Sequence, residues 1–535
     1  MLSTLDLVLF FGFAGLVVCI SLWAARGQRT REDYFLAGRA LPWWMIGISL
    51  IASNISTEHF VGMSGNAAKN GLAVASWEWI SAVALVVVGA FLLPHFLKRA
   101  IYTIPEYLEL RFDRGTRLIL AALTVLLTTL ALLATVVYSG AQFLSVTLEL
   151  PFNACVWGLG LTASLYTVLG GLKAVVWSDL VQGLALLIGG AFVSYVAFDL
   201  YGDGSVVGGF ERLFEEHGDS LHLAKPVDDS ELPWPGLFTG IWIPVLFYWG
   251  LNQFITQRTL AAGSLAQGQR GILLAAAIKL LLPLLVVFPG LIALDLIPVD
   301  QHPTDSDGTY PTLLKQLLPE GLLGLMLAAV TGAILSSFNS GLNSAATVFT
   351  LDLWPALRGR SLNDDRALAV GRWTTVALTV FACVWAPIIR EFDGVFAYIQ
   401  ELWGYVSIPT CAVFFCGLRM KKVDARAARV GLVLGPLLYF VVRAPKLFLD
   451  EATVSQQSEF LRSAHAFSSL SILYHMAGIF LSLVALMAFL SRRNEPVVMP
   501  DQAPEREIDL TPMRGLGIGS FAILAVTVWL YVVFW

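Results

Sequence analysis

Six ionisable side chains, Glu58, His59, Glu78, Asp179, Lys279 and Glu401, fall within long apolar stretches of this sequence. A charge at bilayer depth costs roughly 3 kcal/mol on insertion scales, so such residues mark functional sites unless a helix end or an interface accommodates them. Glu78 and Lys279 lie well inside their runs, and opposite charges at depth invite a shared polar cavity. Asp179 lies near the end of its run, where a side chain snorkels cheaply. Glu58 and Glu401 fit a helix break or an interface as readily as a site. His59 beside Glu58 is too little for a nucleophile–base pair or a metal centre.

Two runs carry their own interruptions. The segment Ile48-Ser49-Leu50-Ile51-Ala52-Ser53-Asn54-Ile55-Ser56-Thr57-Glu58-His59-Phe60 crowds Ser, Asn and β-branched residues where hydroxyls compete for backbone groups. A second, Gly240-Ile241-Trp242-Ile243-Pro244 followed by Tyr248-Trp249-Gly250-Leu251-Asn252, is broken by glycine and proline. Unwound backbone survives in lipid only where it lines a cavity or binds something. Two interrupted helices, each opening a five-helix set, point to a transporter with inverted repeats. A proline kink and a serine-rich packing face are the bland reading of the same residues. Further on, Ser336, Ser340 and Ser344 recur every four residues and share one helical face. Such a stripe either packs helices closely or offers oxygens to a hard cation.

The elements that position these groups follow from composition. Of 535 residues 57% are hydrophobic and 14% charged, with mean hydropathy +0.72; soluble domains run about 45–50% and about 25%. The expected fold is an all-α polytopic membrane protein of 14 transmembrane helices in a single domain, 1–535. Runs of about 20 apolar residues fall near 5–25, 42–66, 72–97, 118–147, 153–169, 174–199 and 236–257. They continue near 271–296, 320–350, 373–390, 394–418, 428–446, 466–491 and 515–535. The core repeats span about 42–199 and 236–418, and 5–25, 428–446, 466–491 and 515–535 are extra helices. The first run lacks a basic start and a small-residue cleavage site and reads as a retained helix.

By alternation, 25 of the 34 Lys and Arg residues fall in loops on one side and 8 on the other. The first side is therefore cytoplasmic and both termini face out. Lys279 remains, inside a helix. The largest outer loop, about 200–235, is acidic (Asp203, Glu211, Glu215, Glu216, Asp219, Asp228, Asp229, Glu231) and reads as a solvated surface or lid. A net charge of −5 with dispersed basic residues argues against nucleic acid. No Gly-Lys-Ser/Thr phosphate loop supports ATP drive. The five cysteines show neither zinc nor disulfide spacing.

An ordered set of segments resembles the solute:sodium symporters of the sodium/glucose cotransporter branch. They are Asp33-Tyr34-Phe35-Leu36-Ala37-Gly38-Arg39, Ala52-Ser53-Asn54-Ile55, His59-Phe60-Val61-Gly62, and Tyr102-Thr103-Ile104-Pro105-Glu106-Tyr107. Further along come Gly170-Gly171-Leu172-Lys173-Ala174-Val175-Val176-Trp177-Ser178-Asp179, Leu232-Pro233-Trp234-Pro235-Gly236, Gln257-Arg258, Asn343-Ser344 and Phe534-Trp535. The resemblance covers nearly the whole chain. It implies a LeuT-type fold, two inverted five-helix repeats within fourteen helices, and sodium-driven import of a glucose- or galactose-like monosaccharide across the cell membrane. Inositol, sialic acid or an amino acid are the alternative solutes. The implied partners are sodium, the solute and the bilayer, with no further cofactor, no obligate protein partner and no enzymatic step.

By motif matching, the resemblance places sodium at the carbonyls of Ala52, Ile55 and Ala333 and the hydroxyls of Ser336 and Ser337. Sugar maps to Asn54, His59, Glu78, Ser81, Lys279 and Gln400, with Tyr248 as inner gate and Trp249 beside it. Met63, Trp77 and Phe396 match an outer gate. A second sodium near Asp179 occurs in some relatives, but here Asn339 replaces the usual hydroxyl residue. The chain also departs from the pattern at Val245, where relatives carry Asn or Thr, at His59, where bacterial galactose carriers carry Gln, and at Trp403, where a small hydroxyl residue is usual. These departures leave the exact solute open.

Overall fold

The computed structural model describes residues 3–26, 30–56, 58–303, 308–359, 362–391, 395–449, 454, 457–497 and 507–535. Helix dominates, and β pairing among the described residues is limited to isolated bridges such as Leu41–Ala262. Helix α1 (Thr4–Ala24) opens on a capping box of Ser3 and Asp6. The Asp6 carboxylate also accepts from the Gly321 and Gly324 amides at 2.8 and 2.7 Å. One side chain thus ties the start of α1 to the start of a distant helix.

The first interrupted run forms α2 (Trp43–Asn54), an extended Ile55 (φ −71°, ψ 115°), a π-helical turn Glu58–Met63 and α3 (Ser64–Asn70). After it, α4 (Ser76–Val87) continues through a π turn into α5 (Leu93–Lys98). Helix α6 (Arg114–Leu127) leads to α7 (Phe152–Tyr201). The second interruption comprises α8 (Trp242–Leu246), a π turn Phe247–Leu251, an extended Asn252 (φ −86°, ψ 120°) and α9 (Gln253–Leu260). Asn252 caps α9 by accepting from the Phe254 amide at 3.1 Å. Helices α10 (Leu265–Leu291), α11 (Leu322–Val348), α12 (Asp364–Trp385), α13 (Val395–Arg419), α14 (Ala425–Phe448), α15 (Ile472–Leu490) and α16 (Leu516–Val533) complete the bundle.

Helix α11 is the central post. Every residue from Met326 to Val348 is buried, as expected of a helix apolar or small-residue-lined all round. Its Ala, Gly and Ser residues let neighbours approach closely. By contrast α16 and α1 lie at the periphery, with 11% and 22% of their apolar windows covered. Where α7 crosses α2, a Cβ on Gly183 would lie 2.5 Å from that of Ala52. That close approach brings α7 against the end of α2.

Among the described residues eleven helices are long and apolar enough to cross a membrane. The expected runs 42–66 and 236–257 are not among them, because each is divided by its break into pieces too short to count. The runs 153–169 and 174–199 appear as one element of 50 residues, α7. At 1.5 Å per residue it would be about 75 Å long, far beyond a core of about 30 Å. It bends at Gly171, whose φ of 50° and ψ of −149° lie outside helical space. A Cβ there would lie 2.3 Å from the Tyr34 carbonyl oxygen.

Gly171→Ala therefore adds a strained backbone worth ~1–3 kcal/mol to a direct backbone overlap. Its thermal unfolding midpoint in detergent is expected to fall by several degrees. Gly158→Ala, where a Cβ meets nothing within 4 Å, is expected to leave it in place. Equal midpoints for the two variants would contradict this role for the bend.

Candidate functional site

The two interruptions and helices α4, α10 and α13 enclose a cavity of about 110 Å³. The end of α2 delivers Asn54, the following π turn His59 and Met63, and α4 Trp77, Glu78 and Ser81. Tyr248 and Trp249 come from the second π turn, Lys279 from α10 and Trp403 from α13. Glu78 and Lys279 are 5% and 1% exposed and form an ion pair between the Glu78 Oε2 and the Lys279 Nζ. The other carboxylate oxygen of Glu78 lies 3.3 Å from the His59 Nε2. The Ser56 amide points at the His59 Nδ1 from 3.4 Å, which makes Nδ1 the acceptor and leaves Nε2–H to donate to Glu78.

The Asn54 amide donates to the Tyr248 hydroxyl at 3.1 Å, joining the two breaks directly across the cavity. Its Oδ1 is buried without a hydrogen-bond partner among the described residues. Ser81 donates to the Trp77 carbonyl at 2.6 Å, which leaves its lone pairs for another donor. Lys279 Nζ sits 5.2 Å from the Trp249 ring centroid, a cation–π distance. Tyr248 meets Trp249 and Trp403 edge-on, with centroids 5.3 and 6.4 Å apart. Donors and acceptors thus line part of the wall and aromatic faces the rest. The chemistry available is hydrogen bonding to a polar solute with a ring or chain to cover.

Of the expected solute and gate residues, the structure gathers Asn54, His59, Met63, Trp77, Glu78, Ser81, Tyr248, Trp249 and Lys279 around this one cavity. The side chains of Phe396 and Gln400 lie outside the described residues. Phe247, Pro244 and Ile399 also line the cavity and were not expected; apolar residues beside Tyr248 and Gln400 carry no sequence signal of their own. Val245 and Trp403, expected as departures from the family pattern, both face the cavity.

A second polar cluster lies where α2 ends against α7, α9 and α11. With Ile55 extended, the Ala52 carbonyl loses its helical donor, the Ser56 amide, which points at the His59 Nδ1 instead. The Ser336 hydroxyl lies 3.2 Å from the Ala52 carbonyl oxygen, and the Ser337 hydroxyl donates to the Ser53 carbonyl at 3.0 Å. Ser53 thus supplies the second carbonyl opposite the serines, a position not among those expected. Asp179, at the heart of this cluster, is fully buried rather than snorkelling. It accepts from Ser49 at 2.5 Å, Ser53 at 3.0 Å and Ser336 at 2.6 Å.

Arg258 pairs with Asp179 at 3.3 Å, and both are 0% exposed. Counted as a loop residue in the charge alternation, it is in fact buried in the bundle, bonded to Ser49 at 3.0 Å, to the Phe254 carbonyl and to Ser340. The alternation could not see this because Arg258 falls at the end of an apolar run. Asn339 is engaged by Thr167 at 3.1 Å and by the Tyr166 hydroxyl. Glu401 forms a two-pronged ion pair with Arg443 at 2.9–3.0 Å, which joins α13 to α14. No cluster of three or more His, Cys, Asp and Glu side chains suited to a metal occurs among the described residues.

The sodium:solute symporter family model matches residues 34–435. A sodium/glucose cotransporter of Vibrio parahaemolyticus is 39% identical over 455 residues, 81% of this chain and 84% of that one. A sodium/myo-inositol cotransporter 2 of Oryctolagus cuniculus is 36% identical over 484 residues, 83% of this chain and 69% of that one. Among solved structures, a Na+-coupled sialic acid symporter in a substrate-bound outward-open state matches with a TM-score of 0.79 at 21% identity. It covers 93% of this chain and 100% of that one, and the likeness is one of fold.

Burial of the Glu78–Lys279 pair sets a stability test independent of transport. Breaking a buried pair from one side costs ~3–5 kcal/mol because the remaining charge is left uncompensated. Glu78→Gln and Lys279→Met are each expected to lower the thermal midpoint sharply, and the double variant to recover much of the loss. Additive losses in the double variant would contradict the pairing.

Proposed function

The chain belongs to the sodium:solute symporter family, and from that premise we propose that it imports a neutral monosaccharide together with sodium by alternating access. It is a multi-pass membrane transporter, not an enzyme. The observation that carries the sugar reading is the cavity between the two breaks. Among its described lining residues the ion pair Glu78–Lys279 sums to no net charge. Asn54, Ser81 and His59 add further donors and acceptors, and the hydroxyls of a sugar need both. Tyr248, Trp249 and Trp403 offer aromatic faces to the apolar side of a ring. Gln400 belongs to the proposed sugar contacts as well. Tyr248 serves as the inner gate, and Met63, Trp77 and Phe396 as the outer one.

Sodium enters this reading as the co-transported ion. Its proposed ligands are the carbonyls of Ala52, Ile55 and Ala333 with the hydroxyls of Ser336 and Ser337. The distances at Ala52 and Ser337 support the reading, since a hydroxyl that now donates to a carbonyl turns a lone pair to a cation by rotating about one bond. Neutral oxygen ligands suit a monovalent hard ion. Asp179, already held by Arg258 and three serines, is the place of any second ion. One sodium entering across ~100 mV and down a tenfold gradient releases roughly 3.7 kcal/mol. That supports a solute gradient of about five hundred.

The proposed topology has fourteen crossings. Eleven helices qualify as they stand, the two interrupted segments add two, and dividing the 50-residue helix at Gly171 adds one. On this division the repeats run over about 42–199 and 236–418, the Lys- and Arg-rich loops face the cytoplasm and both termini lie outside. A cyclitol is the second reading. A sodium/myo-inositol cotransporter stands among the relatives, and a cyclitol presents hydroxyls similar to those of a hexose.

Uptake into proteoliposomes, measured with a panel of hexoses, inositols, sialic acid and amino acids, separates these readings. Glucose or galactose is expected to compete best, and replacing sodium by choline to abolish uptake. Preference for an inositol would move the solute, and sodium-independent uptake following a proton gradient would overturn the coupling ion. In the same assay Ser337→Ala is expected to raise the half-saturating sodium concentration several-fold. Sugar affinity should weaken with it, since linkage is reciprocal. A sodium curve identical to wild type would remove Ser337 from the ion site.

A further inference from the structure

On the flank of the bundle lies a second, larger cavity of about 710 Å³, walled by α4–α5, α8, α13 and α15. Its lining is apolar, with Leu246, Phe414, Phe480 and Ala477 among the walls. Phe91, Phe415 and Leu481 at its edges are 64%, 44% and 64% exposed on the outside of the molecule. The groove therefore opens sideways toward lipid rather than toward either aqueous face. Besides Thr239, whose hydroxyl donates to the Pro235 carbonyl, two polar side chains line it, His95 on α5 and Arg419 at the last residue of α13. Both belong to the side of the protein where Lys98, Arg99, Lys421 and Lys422 cluster. Arg419 has no carboxylate partner among the described residues. The His95 Nδ1 lies 2.6 Å from the Phe91 carbonyl oxygen, so it donates there, and Nε2 meets an anion as a donor only when the ring carries a second proton.

We propose that this groove is a binding site for one anionic phospholipid of the leaflet on the Lys/Arg-rich side, its phosphate between His95 and Arg419 and an acyl chain along the apolar wall. Dimensions and charge both favour that occupant. The α13 wall from Cys411 to Arg419 rises about 12 Å, close to one leaflet, half of a core of about 30 Å. An apolar groove with cationic groups at one end matches an amphiphile with an anionic head.

The site also touches the transport machinery. Trp242, Ile243 and Leu246 face the groove, while Pro244, Val245, Tyr248 and Trp249 face the polar cavity. One short helical segment separates lipid from solute, so an ordered acyl chain bears on the segment that carries Tyr248.

The test uses purified full-length protein stripped of lipid in detergent, offered equal phosphatidylglycerol and phosphatidylcholine, with retained lipid counted by native mass spectrometry. Wild type is expected to retain phosphatidylglycerol preferentially. Arg419→Gln should cut that preference about fivefold, the weight of one cation near a membrane surface, and His95→Gln should lower it in the same direction. Ala477→Phe, which fills the groove from α15, should lower retention of both lipids. Arg493→Gln, an exposed arginine that does not line the groove, should leave retention unchanged. The proposal fails if wild type retains both lipids equally, or if Arg493→Gln matches Arg419→Gln. It fails equally if the species lost in Ala477→Phe is a dimer rather than a lipid adduct.

Discussion

Inside a bilayer a carbonyl that loses its helical donor has no water to turn to, and the break after Asn54 creates such carbonyls at Ala52 and Ser53. Much of the centre of this molecule answers that need. Helix α11 brings Ser336 and Ser337 to within 3.2 and 3.0 Å of the two oxygens. It can do so because small residues on α11 and Gly183 on α7 allow the helices to close on α2. Asp179 and Arg258 then occupy the polar space behind, each satisfied by the other and by serines. A break that costs hydrogen bonds is thus sustained by a network that spans four helices.

The same break orients the polar cavity. The residue before the extended Ile55 is Asn54, whose side chain reaches the Tyr248 hydroxyl on the second interruption. The turn after it carries His59 to Glu78. The serine-lined cluster and the polar cavity are therefore built on neighbouring residues of one segment, with serine contacts to Ala52 and Ser53 on one side and Asn54 and His59 on the other. A change in how the carbonyls of α2 are satisfied reaches Asn54 within two residues. That short path is the physical basis for coupling in the proposed function, and it requires no long-range relay.

Much of this was legible in the sequence, for identifiable reasons. Glu78 and Lys279 stood out because ionisable groups inside apolar runs are costly, and the breaks because Ser, Asn, Gly and Pro crowded where helix was expected. Ser336 showed as part of a polar stripe on an apolar helix, and Ser337 came from motif matching. Other features depend on packing that one-dimensional patterns do not carry. Arg258 looked like a loop residue because it ends a run, and only tertiary structure shows it buried against Asp179. The Ser53 carbonyl has no side-chain signature at all. Gly170-Gly171 appeared as a gap between two spans, whereas the chain stays helical on both sides of a single bend. The lateral groove is made of ordinary lipid-compatible residues and could not be read until the helices were placed.

The central claim is that one broken segment couples ion and solute binding. Its most direct measurement is an equilibrium one on purified protein: sodium affinity with and without saturating sugar, and sugar affinity with and without saturating sodium. Coupling through a shared segment predicts that each ligand tightens the other by the same factor. Asn54→Ala should shrink that factor while leaving sodium affinity in the absence of sugar nearly unchanged. Sodium binding indifferent to sugar in the wild-type protein would contradict the claim.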